Sequence, residues 1–299
     1  MIQPSYILNF NYMNKFFKNI VIMIVLIFTI LLLSYIIDIK LNTQTNSEIT
    51  DVVFIGNSNI QHALNDSLIS EKLDINCINY GAGGQSLFWT VISAKKHKLQ
   101  GVNNFIISLD EVTYTTGDKT HDNILGGKNM TYYKNFLNLN DWSILFNMDL
   151  KFSIKSLLIL PKPSLSFIGY FSNGKRPFYD GLTKFNRDEI IDTNDEILHD
   201  LIKNNPSSNF IIIKSPFHPN YYKQEMYKKN TQHLINRINS FKIYDNTLVL
   251  DYGRFLKDDS FFMDHSHLNY RGAKVFSIEI AKIIKQTEFF KKVNKFNEN

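Results

Sequence analysis

Three residues of the types that together perform acyl-ester chemistry lie near opposite ends of this 299-residue sequence. Ser58 follows an apolar run, residues 52–55, and a glycine, Gly56. Asp264 and His267 are three positions apart, just before an amphipathic stretch of roughly fifteen residues. At that spacing on a loop, a carboxylate can hold one imidazole nitrogen and leave the other facing a serine. The pattern predicts Ser58 as a nucleophile, His267 as its general base and Asp264 as the residue that orients His267.

The elements that must position these residues follow from the apolar pattern. A strand that ends at Gly56, followed by a helix at about residues 65–73, places the Ser58 hydroxyl beyond the carboxyl end of the strand, where ligands bind in open α/β sheets. Further helices are expected over 87–99 and 188–204. Short, nearly continuous apolar segments predict the strands of a parallel sheet covered on both faces, at residues 51–55, 75–79, 105–109, 209–213 and 247–250. The predicted fold class is α/β, a three-layer αβα sandwich around a five-stranded parallel sheet.

The two motifs together resemble the SGNH (GDSL-like) hydrolase superfamily. The resemblance consists of Gly56-Asn57-Ser58 and of the late pattern Asp264-x-x-His267-Leu-Asn-x-x-Gly. It is nearest to the membrane-anchored branch, which includes proteins of polysaccharide O-acetylation and D-alanyl transfer. It spans roughly residues 50–285 and implies a flavodoxin-like fold with acyl-ester chemistry at Ser58.

An ester carbonyl under attack becomes an oxyanion, which needs hydrogen-bond donors. The Ser58 backbone N–H is one candidate, and the resemblance implies the Gly84 N–H as a second. The family has Gly-x-Asn-Asp after its third strand, and that Asn side chain donates to the oxyanion. Here the matching segment is Ser-Leu-Asp-Glu, with Asp110 at the Asn position, and an ionised carboxylate cannot donate. Three possibilities are therefore open: another donor such as Gln85 substitutes, the site is weak, or the site is not catalytic.

Other candidate residues lie in less specific patterns. His218, just after the predicted fourth strand, is a candidate for substrate contact, as is Asp110. His62, four positions after Ser58, would share a helix face with it, although a helix-cap or surface role is the simpler interpretation. No metal or cofactor is predicted, because no cluster has metal-ligand spacing and no phosphate-binding glycine motif is present. Cys77 is the single cysteine, which excludes an internal disulfide.

An uncharged segment, residues 19–37, is long enough to cross a bilayer core of about 30 Å. Lys15 and Lys18 precede it, which predicts a cytoplasmic N-terminus and an extracytoplasmic remainder. Since no small-x-small cleavage pattern closes the segment, a single-pass signal anchor in the cell membrane is predicted rather than a cleaved signal peptide. The alternative is a buried core helix. Whether translation starts at Met1 or Met13 stays open.

The sequence predicts four consecutive parts. These are a cytoplasmic stub with the transmembrane helix at 1–41, a polar linker at 42–50, an SGNH-like domain at 51–288 and a basic polar tail at 289–299. An aromatic-rich insertion at about 113–186 is interpreted as a substrate platform or lid, a partner-docking surface or a small satellite core. The net charge of +5 is thinly spread and no nucleic-acid motif is present, so a nucleic-acid partner is not predicted.

These observations favour an extracytoplasmic, membrane-anchored serine esterase or O-acyltransferase. The resemblance implies a small acyl group, acetyl, on a cell-envelope glycan, and a membrane-bound acyltransferase as a partner. The alternative is a non-catalytic SGNH-like protein that binds a glycan or assists an acyltransferase, and Asp110 favours it. Replacing Asp110 with Asn should separate the two, because an active enzyme that lacks one oxyanion donor is expected to become faster.

Overall fold

The structure is a computed structural model that describes residues 15–23, 25–26, 29, 50–82, 85–110, 113, 195–223 and 225–287. Most of the predicted insertion, linker and transmembrane span therefore lies outside the described residues, as do Gly84 and the basic tail. Residues 15–23 are helical. Among the residues that were described, no helix combines the length and the apolar character needed to cross a bilayer.

The described domain contains a five-stranded sheet in which every neighbouring pair of strands is parallel. The strands in chain order are β1 Val52–Ile55, β2 Cys77–Asn79, β3 Asn104–Ser108, β4 Asn209–Lys214 and β5 Thr247–Asp251. Their spatial order is β2-β1-β3-β4-β5. This is the flavodoxin-like order of doubly wound folds, so the predicted sheet is confirmed and fits the SGNH hydrolase fold.

Helices connect the strands. Those of the described residues are α1 Ser58–Ala63, α2 Asp66–Leu73, α3 Leu87–Leu99, α4 Asp195–Lys203, α5 Glu225–Ser240 and α6 Tyr270–Gln286. The predictions of α2, α3 and α6 are confirmed. Helix α1, which begins at Ser58, precedes the predicted helix at 65–73 and was not among the predicted helices. The crossover helix expected over 188–204 is described from Asp195 to Lys203.

Both faces of the sheet are covered by helices, as predicted. In β1, Val53 and Ile55 pack in a core with α3, α4 and α5, whereas Val52 and Phe54 pack in a second core with α1, α2 and α6. All four side chains are fully buried. This alternation is the two-residue period of a strand, and burial of both faces explains why the strands are continuously apolar. The carboxyl ends of β1, β3 and β4 consequently meet at one edge, where the site lies.

Candidate active site

The chain turns sharply where β1 ends, and this turn places Ser58. Gly56 has φ +155°, and a Cβ on it would lie 3.0 Å from the Ser108 carbonyl oxygen of β3. A side chain there would be strained by the backbone conformation and would also crowd β3. Asn57 then caps α1, since its Oδ1 accepts a hydrogen bond from the Asn59 N–H at 2.9 Å. Ser58 is thus the first residue of a helix and stands at the carboxyl end of β1.

The loop before α6 holds the other two candidates. Asp264 Oδ1 accepts hydrogen bonds from the backbone N–H groups of Ser266 and His267, each at 2.9 Å. The Met263 N–H donates to the His267 carbonyl at 2.8 Å, which closes the loop. Asn269 caps α6 and donates from Nδ2 to the Ser260 carbonyl at 2.7 Å. Hydrogen bonds between residues of the loop itself therefore fix both of its ends.

The structure brings Ser58, His267 and Asp264 together. His267 Nδ1 lies 2.7 Å from Asp264 Oδ2, and His267 Nε2 lies 2.8 Å from Ser58 Oγ. A carboxylate only accepts hydrogen bonds, so the neutral imidazole carries its proton on Nδ1 and presents Nε2 as an acceptor to the Ser58 hydroxyl. The His267 and Asp264 side chains are 24% and 30% exposed, so the group is open to a ligand. This arrangement can activate a serine hydroxyl.

Asp264 is held in its ionised form. Burial alone would raise the pKa of its carboxyl, but the hydrogen bond and the charge of His267 and the two backbone N–H donors outweigh burial. The net result is a pKa well below the ordinary value of an aspartate. Asp264 can therefore hold the imidazole and stabilise an imidazolium at every pH near neutrality.

The candidate oxyanion donors are only partly described. As the first residue of α1, Ser58 has a backbone N–H with no acceptor inside its own helix, and a helix N-terminus favours negative charge. Gly84 falls outside the described residues. The Gln85 side chain is 1% exposed, and its Nε2 is 3.3 Å from Thr90 Oγ1, a bond within its own segment. One N–H of the Gln85 side chain is therefore used within its own segment.

Asp110 and His218, the two proposed substrate-contacting residues, are both fully buried. The Asp110 carboxylate accepts hydrogen bonds from the side chains of Asn57, Asn59 and Thr113. The His218 backbone N–H donates to the His265 carbonyl at 3.0 Å, so His218 supports the loop of Asp264 and His267 from behind. Neither placement supports direct contact with a substrate.

His62 has a contact that the sequence pattern did not indicate. Its ring lies edge-on to the His267 ring, with centroids 5.0 Å apart. The available signal was the four-residue spacing between Ser58 and His62, because residues four apart share a helix face and His62 is thus placed on the same side as Ser58. The Asn59 contact with Asp110 was also missed, because it joins segments 51 positions apart. Within the described residues, no group of three His, Cys, Asp or Glu side chains is placed to hold a metal ion.

No known family profile matches this sequence, and no curated protein matches it. Several solved structures resemble the chain. A protein assigned to the G-D-S-L lipolytic family from Desulfitobacterium hafniense DCB-2 is 10% identical with a TM-score of 0.41, and the alignment covers 79% of this chain and 99% of that one. A family two carbohydrate esterase from Clostridium thermocellum, in complex with cellohexaose, is 8% identical with a TM-score of 0.40, covering 80% of this chain and 65% of that one. An α/β hydrolase enzyme from the metagenome of Lake Arreo, Spain, is 10% identical with a TM-score of 0.42, covering 81% and 99%.

The structural neighbours include GDSL-like lipolytic proteins, an acylhydrolase and carbohydrate esterases. At this degree of similarity they do not establish an activity for this chain.

Proposed function

We propose that this protein is a serine esterase or O-acyltransferase in which Ser58 is the nucleophile, His267 the general base and Asp264 the residue that orients His267. The observation that carries the proposal is the continuous line of hydrogen bonds from Asp264 Oδ2 through His267 to Ser58 Oγ, at 2.7 and 2.8 Å. Both distances are within hydrogen-bond reach, which is the geometric requirement for an activated nucleophile.

The proposed reaction has two halves. Ser58 Oγ attacks the acyl carbonyl while its proton passes to His267 Nε2, and the tetrahedral intermediate then releases the alcohol, which takes that proton. The product is an acyl ester on Ser58. In the second half, water or a sugar hydroxyl gives a proton to His267 and attacks the carbonyl of the acyl-enzyme. As the bond between the acyl carbon and Ser58 Oγ breaks, His267 returns the proton to Ser58 Oγ. Water completes a hydrolase and a sugar hydroxyl completes a transferase.

The oxyanion of each tetrahedral intermediate needs donors that already point at it. The Ser58 N–H at the start of α1 supplies one. The Gly84 N–H is proposed as the second on the sequence resemblance alone.

The substrate class and location extend the proposal beyond the site. The acetyl group, the cell-envelope glycan and a membrane-bound acyltransferase partner come from the resemblance. The extracytoplasmic location comes from the uncharged segment at 19–37 and the preceding lysines. Apolar side chains within that segment, including Val21, Met23 and Val25, are more than half exposed, which agrees with a lipid environment.

Hydrolysis of an activated acetyl ester by the full-length protein in detergent tests the proposal, followed by release of acetate from acetylated glycans. Ser58→Ala should abolish both activities. Ser67→Ala is the matched control, because Ser67 is an exposed serine on the neighbouring helix α2. If folded protein hydrolyses no ester, and Ser58→Ala behaves as the parent, the alternative of a non-catalytic glycan-binding or accessory protein replaces the proposal.

A further inference from the structure

A buried carboxylate lies beside the proposed nucleophile and is not used in the mechanism above. Asp110 follows β3 and is completely buried. Among the residues that the structure describes, none of its partners is a cation. It is satisfied instead by neutral donors, with Asn57 Nδ2 at 2.8 Å from each oxygen and the Thr113 N–H at 2.9 Å. A buried charge is tolerated only when it is densely hydrogen-bonded, so these bonds are required for the fold of the site.

Two of the donors flank Ser58 on either side. Asn57 donates to both Asp110 oxygens, and Asn59 donates from Nδ2 to Asp110 Oδ2. The Asn57 side chain is fixed from its other end as well, because its Oδ1 accepts the Asn59 N–H. A carboxylate can only accept hydrogen bonds, so the Asn57 amide must turn its Nδ2 toward Asp110. The Asn57 Oδ1 is then left to cap α1.

We infer that Asp110 is a positioning residue for Ser58: it clamps both neighbouring asparagines and thereby fixes the first turn of α1 relative to His267. The inference rests on the proposed function of Ser58. The clamp sets the place of Ser58 Oγ and of the Ser58 N–H. Both N–H groups of the Asn57 amide face Asp110, and its Oδ1 caps α1. The Asn57 amide therefore has no N–H left for an oxyanion, and the Asp110 carboxylate can only accept hydrogen bonds.

This assignment reverses the effect expected of Asp110→Asn from the sequence. An asparagine at this position would not add an oxyanion donor. Its N–H₂ group would face donors that now point at the Asp110 carboxylate, so hydrogen bonds that hold the start of α1 would be lost. Displacement of a reacting atom by a fraction of an ångström is enough to slow catalysis, by up to about 100-fold for roughly 1 Å.

Exchanging the two side chains provides a specific test. Asn57→Asp alone would set two carboxylates against each other in a buried site. In the double variant Asn57→Asp, Asp110→Asn, the carboxylate introduced by the first change accepts from the amide introduced by the second. The oxygen of that new amide still accepts from Asn59, and aspartate remains a good helix cap. The contact with the Thr113 N–H is lost, so recovery should be large but incomplete.

The measurement is the rate at which a fluorophosphonate probe labels Ser58 in the full-length protein, below the unfolding midpoint of every variant. We expect each single variant to lower the rate at saturating probe by at least about tenfold, with little change in the half-saturating concentration, and the double variant to return to within about fivefold of the parent. Asp200→Asn, the same change at an exposed position on α4, should have no effect. Labelling of Asp110→Asn at the parent rate or faster, or a folded double variant no faster than the slower single variant, would overturn the inference.

A second measurement separates this inference from the proposed function. If the parent protein is not labelled at all, the proposed function fails, and the clamp is then tested by the thermal unfolding midpoints of the same four proteins. Lower midpoints in both single variants with recovery in the double variant support the clamp. Additive losses contradict it.

Discussion

The imidazole of His62 lies edge-on against the imidazole of His267, with ring centroids 5.0 Å apart. His62 is on α1, the helix that begins with Ser58, so one short helix supplies both the proposed nucleophile and a side chain that packs against the proposed base, His267. We expect His62→Ala to slow the reaction of Ser58 several-fold, on the order of 3–10-fold, because His267 loses an orienting contact. His62→Phe should retain at least about half of the parent rate. If the Phe variant reacts as slowly as the Ala variant, the rate depends on the polar groups of the His62 ring and not on its packing against His267.

Asp264→Asn should reduce the activity of Ser58 by roughly 10³–10⁴-fold. Asp264 Oδ1 accepts two backbone N–H groups while Oδ2 accepts from His267 Nδ1. An asparagine keeps its oxygen toward the backbone donors and turns its N–H₂ group toward His267. Nδ1 must then accept, and the proton moves to Nε2, where it faces Ser58. Steady-state ester hydrolysis measures the loss, and a variant within about tenfold of the parent would show that His267 does not depend on this carboxylate.

Gly56→Ala should lower the free energy of unfolding by at least about 2 kcal/mol. The new Cβ would meet Ser108 backbone at 3.0 Å and would also force an alanine to φ +155°. Gly101→Ala is the control, because Gly101 has φ +92° but open space around it, and its cost should be about 1 kcal/mol. Chemical denaturation of both variants measures the difference. Equal losses would mean that the crowding against β3 is relieved by a small backbone shift.

Acid should destabilise the protein through His97. Burial first, and then the neighbouring Lys96, lower the pKa of His97 to about 3, although a bond with Gln100 opposes them. The unfolded chain takes up this proton at about pH 6.5, so stability is fully present above that pH and falls as the pH decreases toward 3. His97→Phe, which keeps a ring against Tyr80, should flatten the decline between about pH 6.5 and pH 4. His233→Phe, at an exposed position on α5, is the matched control for replacing a histidine with a phenylalanine.

The sheet and the His267–Asp264 pair were accessible to sequence analysis because their signals are local. Buried parallel strands appear in the sequence as short apolar segments. A carboxylate and an imidazole three positions apart can contact each other within one loop. Helix α1 was missed because its six residues, starting at Ser58, show no apolar period of their own. It forms because Asn57 caps it and because Ile60 packs against the sheet.

The role of Asp110 could not be predicted for a different reason. Its partners Asn57 and Asn59 are more than 50 positions away, and only the pairing of β1 with β3 brings them together. From sequence alone an aspartate at a strand end is expected to face the crevice, so the sequence predicts a substrate contact or a charge that opposes the oxyanion. Its complete burial under the nucleophile turn is a property of the packed fold.

The nucleophilic role of Ser58 is tested by the intact mass of the full-length protein after treatment with a fluorophosphonate probe. The probe reports an activated serine without requiring the natural substrate. One adduct is expected on the parent protein and on Ser67→Ala, and none on Ser58→Ala. An adduct that persists in Ser58→Ala, or no adduct on folded parent protein, would contradict the assignment of Ser58 as the nucleophile.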